Sequence, residues 1–429
     1  MHQSFARRRA LVLWLRPRAW RQRLTFWLGA IAVGLVAVGF ALAADAAQAG
    51  FRAVVARAPW APLVALPAGL AFCAWAAARY FPGSQGSGIP QAIAARIERT
   101  PAARRKLLAL PIAAGKVGLT LLGLLVGASI GREGPTVQIG AAILLAAGRV
   151  LGQATQRGIV LAGGAAGVAA AFNTPLAGIV FAIEEMSRSY EQRASGLVLV
   201  AVFLAGITSL ALLGDYTYFG HSTAALGNPW DWAAVPVCGA LGGLAGGAFS
   251  RAVVLAGDRA NRVGALLARR PVVTAAACGL AIALIGLAAG GRTWGTGYPE
   301  ARGLVEGTAL LPWYFAPAKL LATLLSTVSG IPGGIFAPSL AVGAGLGADL
   351  APLLPAGAAG AVVLLGMVGY FTGVVQAPIT GAVIVMEMAG DHAMVIPMMA
   401  TALIASGVSR LVQPHSLYHA LAERFLTAR

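Results

Sequence analysis

An all-α integral membrane protein, built as two inverted copies of one unit, is the fold class predicted by composition, by recurring apolar runs and by motifs repeated at a constant spacing. Of 429 residues, 58% are hydrophobic and only 11% are charged, with a mean hydropathy of +0.77. A soluble domain carries about 25% charged residues, so lipid is the solvent this chain suits. Apolar runs near bilayer length include Leu24 to Ala43, Leu197 to Leu213 and Val272 to Ala289, and a spanning helix needs roughly 20 such residues. Other runs are shorter or broken by the 56 glycines and 23 prolines. In a membrane that pattern predicts discontinuous helices lining a site.

The net charge of +17 and isoelectric point near 11.1 would suit a nucleic-acid binder, but the basic residues sit between the apolar runs. Arg7, Arg8, Arg9, Arg16, Arg18, Arg21 and Arg23 precede the first run, and Arg96, Arg99, Arg104, Arg105 and Lys106 fill one loop. Arg251, Arg259, Arg262, Arg269 and Arg270 lie in or beside another. Basic short loops mark the cytoplasmic side of a membrane protein. Residues 1–23 are therefore read as a basic cytoplasmic segment and 24–429 as one transmembrane domain, with no nucleic-acid partner. The first apolar run starts late and continues as a full span, unlike a cleavable signal peptide. Cys73, Cys238 and Cys278 lie in or next to apolar runs without metal or redox spacing, and read as small buried residues.

The repeat comes from G-x-x-x-P-[ST]-x-x-x-G, found at Gly131 to Gly140 and, 203 positions later (131 to 334), at Gly334 to Gly343. In the same register Lys116 matches Lys319, Thr120 matches Thr323, and Pro175, Gly178 and Glu184 match Pro378, Gly381 and Glu387. A G-[ST]-G-x-P motif recurs at Gly86 and Gly295, a spacing of 209 (86 to 295). Its first copy leads into the cationic loop Arg96 to Lys106; its second leads into Glu300, Arg302 and Glu306, with no basic excess. Matching loops on opposite sides of the membrane are the signature of an inverted repeat, which places its substrate at the midplane beside broken helix ends.

Each Gly/Pro motif has the form of a helix start, because proline is favoured where its missing N–H is no loss. Such ends present free amides and partial positive charge, an anion site without a full cation; taken singly, each motif also fits an ordinary break between spans. Glu133 lies at one of these starts. Either its carboxylate competes with an anion for the amides and yields on protonation, or it is a cap paired with Arg132. Glu184 and Glu185 end an apolar run, as a proton access point or as a solvated helix end paired with Arg188 and Arg193. Lys116 and Lys319 suit the carbonyls at helix ends. Tyr418 is either a hydroxyl donor to an anion or an interfacial anchor. Gly127-Ala128-Ser129-Ile130-Gly131 fits the nucleophile-elbow pattern, but no strand-turn-helix setting or neighbouring histidine supports it.

Gly86-Ser87-Gly88-Ile89-Pro90, Gly131-Arg132-Glu133-Gly134-Pro135, Gly334-Ile335-Phe336-Ala337-Pro338 and the late Tyr418 closely resemble the four signature elements of the CLC chloride channel and transporter family. The resemblance implies a homodimer with a separate pathway in each subunit, formed by inverted halves of many tilted and discontinuous helices at about 24–215 and about 228–429. It implies that the Ser87 and Tyr418 hydroxyls and the Ile335 and Phe336 amides ligate the anion, and that Glu133 is the external gate. Antiporters of the family carry an acid near the end of the helix that starts at Phe172-Asn173-Thr174-Pro175-Leu176-Ala177-Gly178. Glu185 falls there, as the internal proton residue. Nitrate-preferring relatives have proline where this chain has Ser87, and fluoride exporters depart at the Gly86 motif and the terminal tyrosine, so chloride is favoured. Gln91 is a departure, standing where several relatives place an acid. The cytoplasmic nucleotide-binding domains of eukaryotic members are not expected. The expectation is chloride/proton antiport in the cell's inner (plasma) membrane, with both termini cytoplasmic and no cofactor or metal. A passive chloride channel of the same fold, an intramembrane hydrolase using Ser129, and a receptor or scaffold without flux are the alternatives.

Overall fold

The computed structural model describes residues 17–150, 156–187, 196–214, 217–354 and 359–427. Arg7, Arg8, Arg9, Arg16, Arg188 and Arg193 lie outside them, and with them the pairing expected of the last two.

The first half runs α1 (Pro17–Arg57), α2 (Pro62–Arg79), α3 (Ile89–Ile97), α4 (Pro101–Leu107), α5 (Leu110–Leu125), α6 (Glu133–Val150), α7 (Gln156–Phe172), α8 (Pro175–Phe181), a π-helical turn (Ala182–Ser187) and α9 (Gly196–Leu213). The second runs α10 (Ala234–Gly257), α11 (Arg262–Arg269), α12 (Pro271–Ala288), α13 (Tyr298–Val305), α14 (Phe315–Val328), α15 (Phe336–Leu350), α16 (Ala359–Val375), α17 (Pro378–Ala389), α18 (Val395–Val412) and α19 (Leu417–Thr427). Among the described residues, eight helices are long and apolar enough to cross a membrane. With 41 residues, α1 extends on the order of 60 Å, about twice a bilayer's hydrocarbon core, so it lies tilted or projects. It begins at Pro17, which places Arg18, Arg21 and Arg23 within the helix rather than before it. By contrast α3, α8 and α13 have nine, seven and eight residues, too few to span.

The repeat holds residue by residue. Helices α7 and α16 end on mates at the 203 spacing (172 and 375), and α2 and α12 share both bounds at 209 (62–79 and 271–288). Among the described residues, the non-glycine residues with positive φ are Asn173 and Gln376, at 56° and 60°, again mates (173 and 376). In both halves a glycine pair brings two helices into backbone contact. A Cβ on Gly343 would stand 2.6 Å from the Gly366 carbonyl, and the mates Gly140 and Gly163 abut in the same way between α6 and α7.

The copies are inverted, and the local symmetry is visible in their contacts. The amide of Gly131 donates to the Gly334 carbonyl and the amide of Gly334 to the Gly131 carbonyl, both at 2.7 Å, in an antiparallel bridge between mates. Reciprocal bonds between equivalent residues require a two-fold axis through their midpoint. The same reciprocity recurs farther out. Glu184 accepts from the Ile379 and Thr380 amides at the start of α17 (3.1 and 2.7 Å), and its mate Glu387 accepts from Leu176 and Ala177 at the start of α8 (3.2 and 2.7 Å).

Candidate functional site

Three helix starts meet beside that axis. Gly88 caps α3 in a left-handed conformation (φ 103°) that a side chain would strain, α6 starts at Glu133, and α15 starts at Phe336. A second bridge ties the loop before α3 to the loop before α15: Gly86 accepts from Gly333 (3.2 Å) and donates to Ile331 (3.1 Å). The approach is close enough to exclude side chains. A Cβ on Gly134 would stand 2.9 Å from the Ser87 carbonyl and 3.2 Å from the Gly334 Cα, and would strike Ser87 Oγ. The first-turn amides of α15, Ile335 and Phe336 among them, have no carbonyl a turn earlier to accept from them.

Ser87 Oγ and Tyr418 Oη are buried and have no full hydrogen bond among the described residues. Buried hydroxyls are almost always paired. The two approach each other at helix starts without a full hydrogen bond, which leaves hydroxyl donor capacity there. Ser87, Ile335 and Tyr418 line one cavity of about 250 Å3 together with Gln85, Leu421 and Arg424. Tyr418 is fully buried, packed 5.9 Å from the Phe336 ring, which removes its reading as an interfacial anchor. Phe336 also contacts Phe172, Phe181 and Phe371, so its backbone start is held in an aromatic cluster. Gln91 holds the turn before Ser87 by donating to the Gly83 and Gln85 carbonyls (3.1 and 2.6 Å). An ionised carboxylate at this place could not donate.

Glu133 is fully buried. Its Oε1 accepts from Tyr298 Oη at 2.7 Å, its carboxyl lies near the Ala337 amide of α15, and its Oε2 has no full hydrogen bond among the described residues. The carboxyl therefore reaches the same helix start that carries the Ile335 and Phe336 amides. Arg132, offered by the sequence as its partner in a cap, turns elsewhere. It bonds Asp45 (2.9 Å), the Ala41 carbonyl (2.6 Å) and Tyr218 Oη (2.7 Å), and lies over the Tyr218 and Tyr298 rings. Tyr298, unforeseen from the sequence, stands in the G-[ST]-G-x-P motif at the position Ile89 fills in the first copy. That exchange of an apolar residue for a donor was the available signal.

The adjacent acids separate. Glu184 is the helix cap described above. Glu185, only 2% exposed, turns inward and meets His419 Nδ1 at 3.2 Å. Lys116 bonds the Gly86 carbonyl (2.8 Å), and Lys319 bonds the Thr293 and Gly295 carbonyls (3.0 and 2.7 Å). Each lysine thus holds its own copy of the glycine motif, as their sequence positions suggested. Ser129 bonds Thr323 and Ser326 rather than an imidazole. Cys73, Cys238 and Cys278 are buried and free.

The family described as voltage gated chloride channel matches residues 68–410. The chain belongs to this family. It is accordingly an ion-transport protein of the membrane and not an enzyme. Three solved structures share the CLC fold. A slow cyanobacterial Cl-/H+ antiporter is 23% identical with a TM-score of 0.82, over 97% of this chain and 100% of that one. A CLC-type fluoride/proton antiporter is 24% identical with a TM-score of 0.76, over 92% and 96%. A eukaryotic CLC transporter is 21% identical with a TM-score of 0.75, over 94% and 74%.

Proposed function

We propose that this CLC protein exchanges chloride for protons. The observation that carries the reading is the position of Glu133, a buried carboxyl at the α15 start where Ile335, Phe336, Ser87 and Tyr418 offer an anion amides and hydroxyls. A carboxylate and a chloride compete for such a place. Protonation neutralises the carboxyl and frees the amides, so one group links anion passage to proton passage. Dipoles rather than a full cation hold the ion, which keeps release fast enough for transport. Glu185 supplies protons from the other side of Tyr418, whose hydroxyl both carboxyls influence. A buried acid there favours exchange over the second reading, a passive channel, which has no use for it.

Chloride is the favoured ion, in line with the antiporter of similar fold named for it and with the retained Ser87 and Tyr418. The protein works as a homodimer in the plasma membrane, each subunit holding a complete pathway, since every proposed ligand comes from one chain. The face bearing Arg96 to Lys106 and both termini are cytoplasmic, and Glu133 then lies on the external side. The test is a chloride gradient across liposomes holding the purified protein. Uphill proton uptake is expected, and Glu185→Gln should abolish it while chloride still flows. Chloride flux without proton uptake in the unmodified protein makes the channel the correct reading.

A further inference from the structure

Glu185 is 2% exposed and His419, against it, is 18% exposed. A proton bound for Glu185 therefore has the imidazole between it and water. Glu185 lies on the π-helical turn and His419 on α19, directly after Tyr418. Nδ1 of His419 has two neighbours, Glu185 Oε1 at 3.2 Å and Ser416 Oγ at 3.1 Å. With Glu185 ionised, an Nδ1 proton points to its carboxylate. With Nδ1 bare, the Ser416 hydroxyl donates to it, and the ring keeps its place in either protonation state. The turn itself is fixed by Arg96 of α3, which donates to the Met186 and Ser187 carbonyls (2.6 and 3.1 Å). Among charged groups near the ring, Glu423 stands one turn further along α19. Arg424 is turned away onto the Val254 carbonyl of α10 (2.5 Å).

We propose that His419 relays protons between water and Glu185, an inference that rests on the exchange reading above. A proton taken from water at Nε2 makes the imidazolium, and the Nδ1 proton passes to a Glu185 oxygen. The ring is left as the neutral Nε2–H tautomer, which returns to the Nδ1–H form by proton exchange with water before the next transfer. The reverse order carries a proton outward. One proton enters, one leaves, and no other reactant is required.

The experiment uses the full chain in liposomes, with chloride efflux and proton uptake recorded together. Coupled uptake in the unmodified protein is the first reading, and its absence counts against exchange itself rather than against the relay alone. His419→Gln keeps a hydrogen-bonding group but cannot pass protons at neutral pH. Proton uptake should fall at least about tenfold with chloride efflux within about twofold, and imidazole added on the α19 side should restore uptake. Uptake at the unmodified rate overturns the relay, as does a loss that imidazole leaves unrestored. If the glutamine variant does not fold, Ser416→Ala gives a second reading. Slower proton uptake with unchanged chloride efflux supports the relay, and unchanged proton uptake overturns it.

Discussion

At matching positions in the two halves, the first central helix starts with Glu133 and the second with Phe336, and the buried acid Glu185 has Met388 as its mate. Two other sets of buried or half-buried charges come in pairs. Lys116 and Lys319 each hold a glycine loop, and Glu184 and Glu387 each cap a helix of the opposite copy. The comparison separates two kinds of buried charge. The matched pairs satisfy backbone groups and hold the frame, as some unmatched charges such as Arg104 and Asp391 also do. Glu133 and Glu185, by contrast, are the unmatched acids to which we assign the anion and proton path.

The largest effect should come from removing an unmatched acid. Glu133→Ala is expected to abolish proton transport while chloride flux persists, recorded with paired chloride and pH electrodes; protons still moving against their gradient would break the division. A smaller effect should follow from the matched caps. Glu184→Gln and Glu387→Gln each weaken two charge-assisted amide bonds, a loss of about 1–3 kcal/mol. The loss in detergent unfolding should be the larger for Glu184, which also accepts from Thr380 Oγ1 (2.8 Å), and the ratio of chloride to proton flux should stay unchanged in both. Loss of coupling in only one of them would mean that a cap does more than hold a helix. The smallest effect concerns the hydroxyl on Glu133. Tyr298→Phe removes a bond of about 0.5–1.5 kcal/mol that steadies the carboxylate, so chloride flux at neutral pH should rise about two- to tenfold. At acid pH, where the carboxyl is protonated, the difference should vanish. Equal flux at both pH values would show that the tyrosine does not restrain the gate.

The frame was legible because its determinants are local and occur twice. Glycine and proline at the helix starts have the same backbone duty in each copy, so spacing alone exposed the matching of Lys116 with Lys319 and of Gly131 with Gly334. What stayed hidden depends on side-chain direction across long separations. Nothing near Glu133 announces Tyr298, 165 residues away, because the matching position holds Ile89 and no repeated pattern marks it. The divergence of Glu184 and Glu185 was hidden for another reason. They sit in a π-helical turn, whose altered register accompanies one carboxylate reaching α17 and the next facing α19. The alternative pairing of Arg132 with Glu133 came from sequence adjacency, whereas packing brings Asp45 and Tyr218 to the guanidinium.

The reciprocal ties have a consequence for how the protein moves. Transporters with inverted repeats commonly expose their substrate to each side in turn by rocking one half against the other. Here such a swing would break the mutual Gly131–Gly334 bonds, the Gly86 bridge and both carboxylate caps together, each an interaction on the order of 1 kcal/mol or more. The halves are laced to one another at the place where a hinge would have to open. In the exchange we propose, the ions travel through a body whose halves stay tied, with single side chains such as Glu133 as its moving parts.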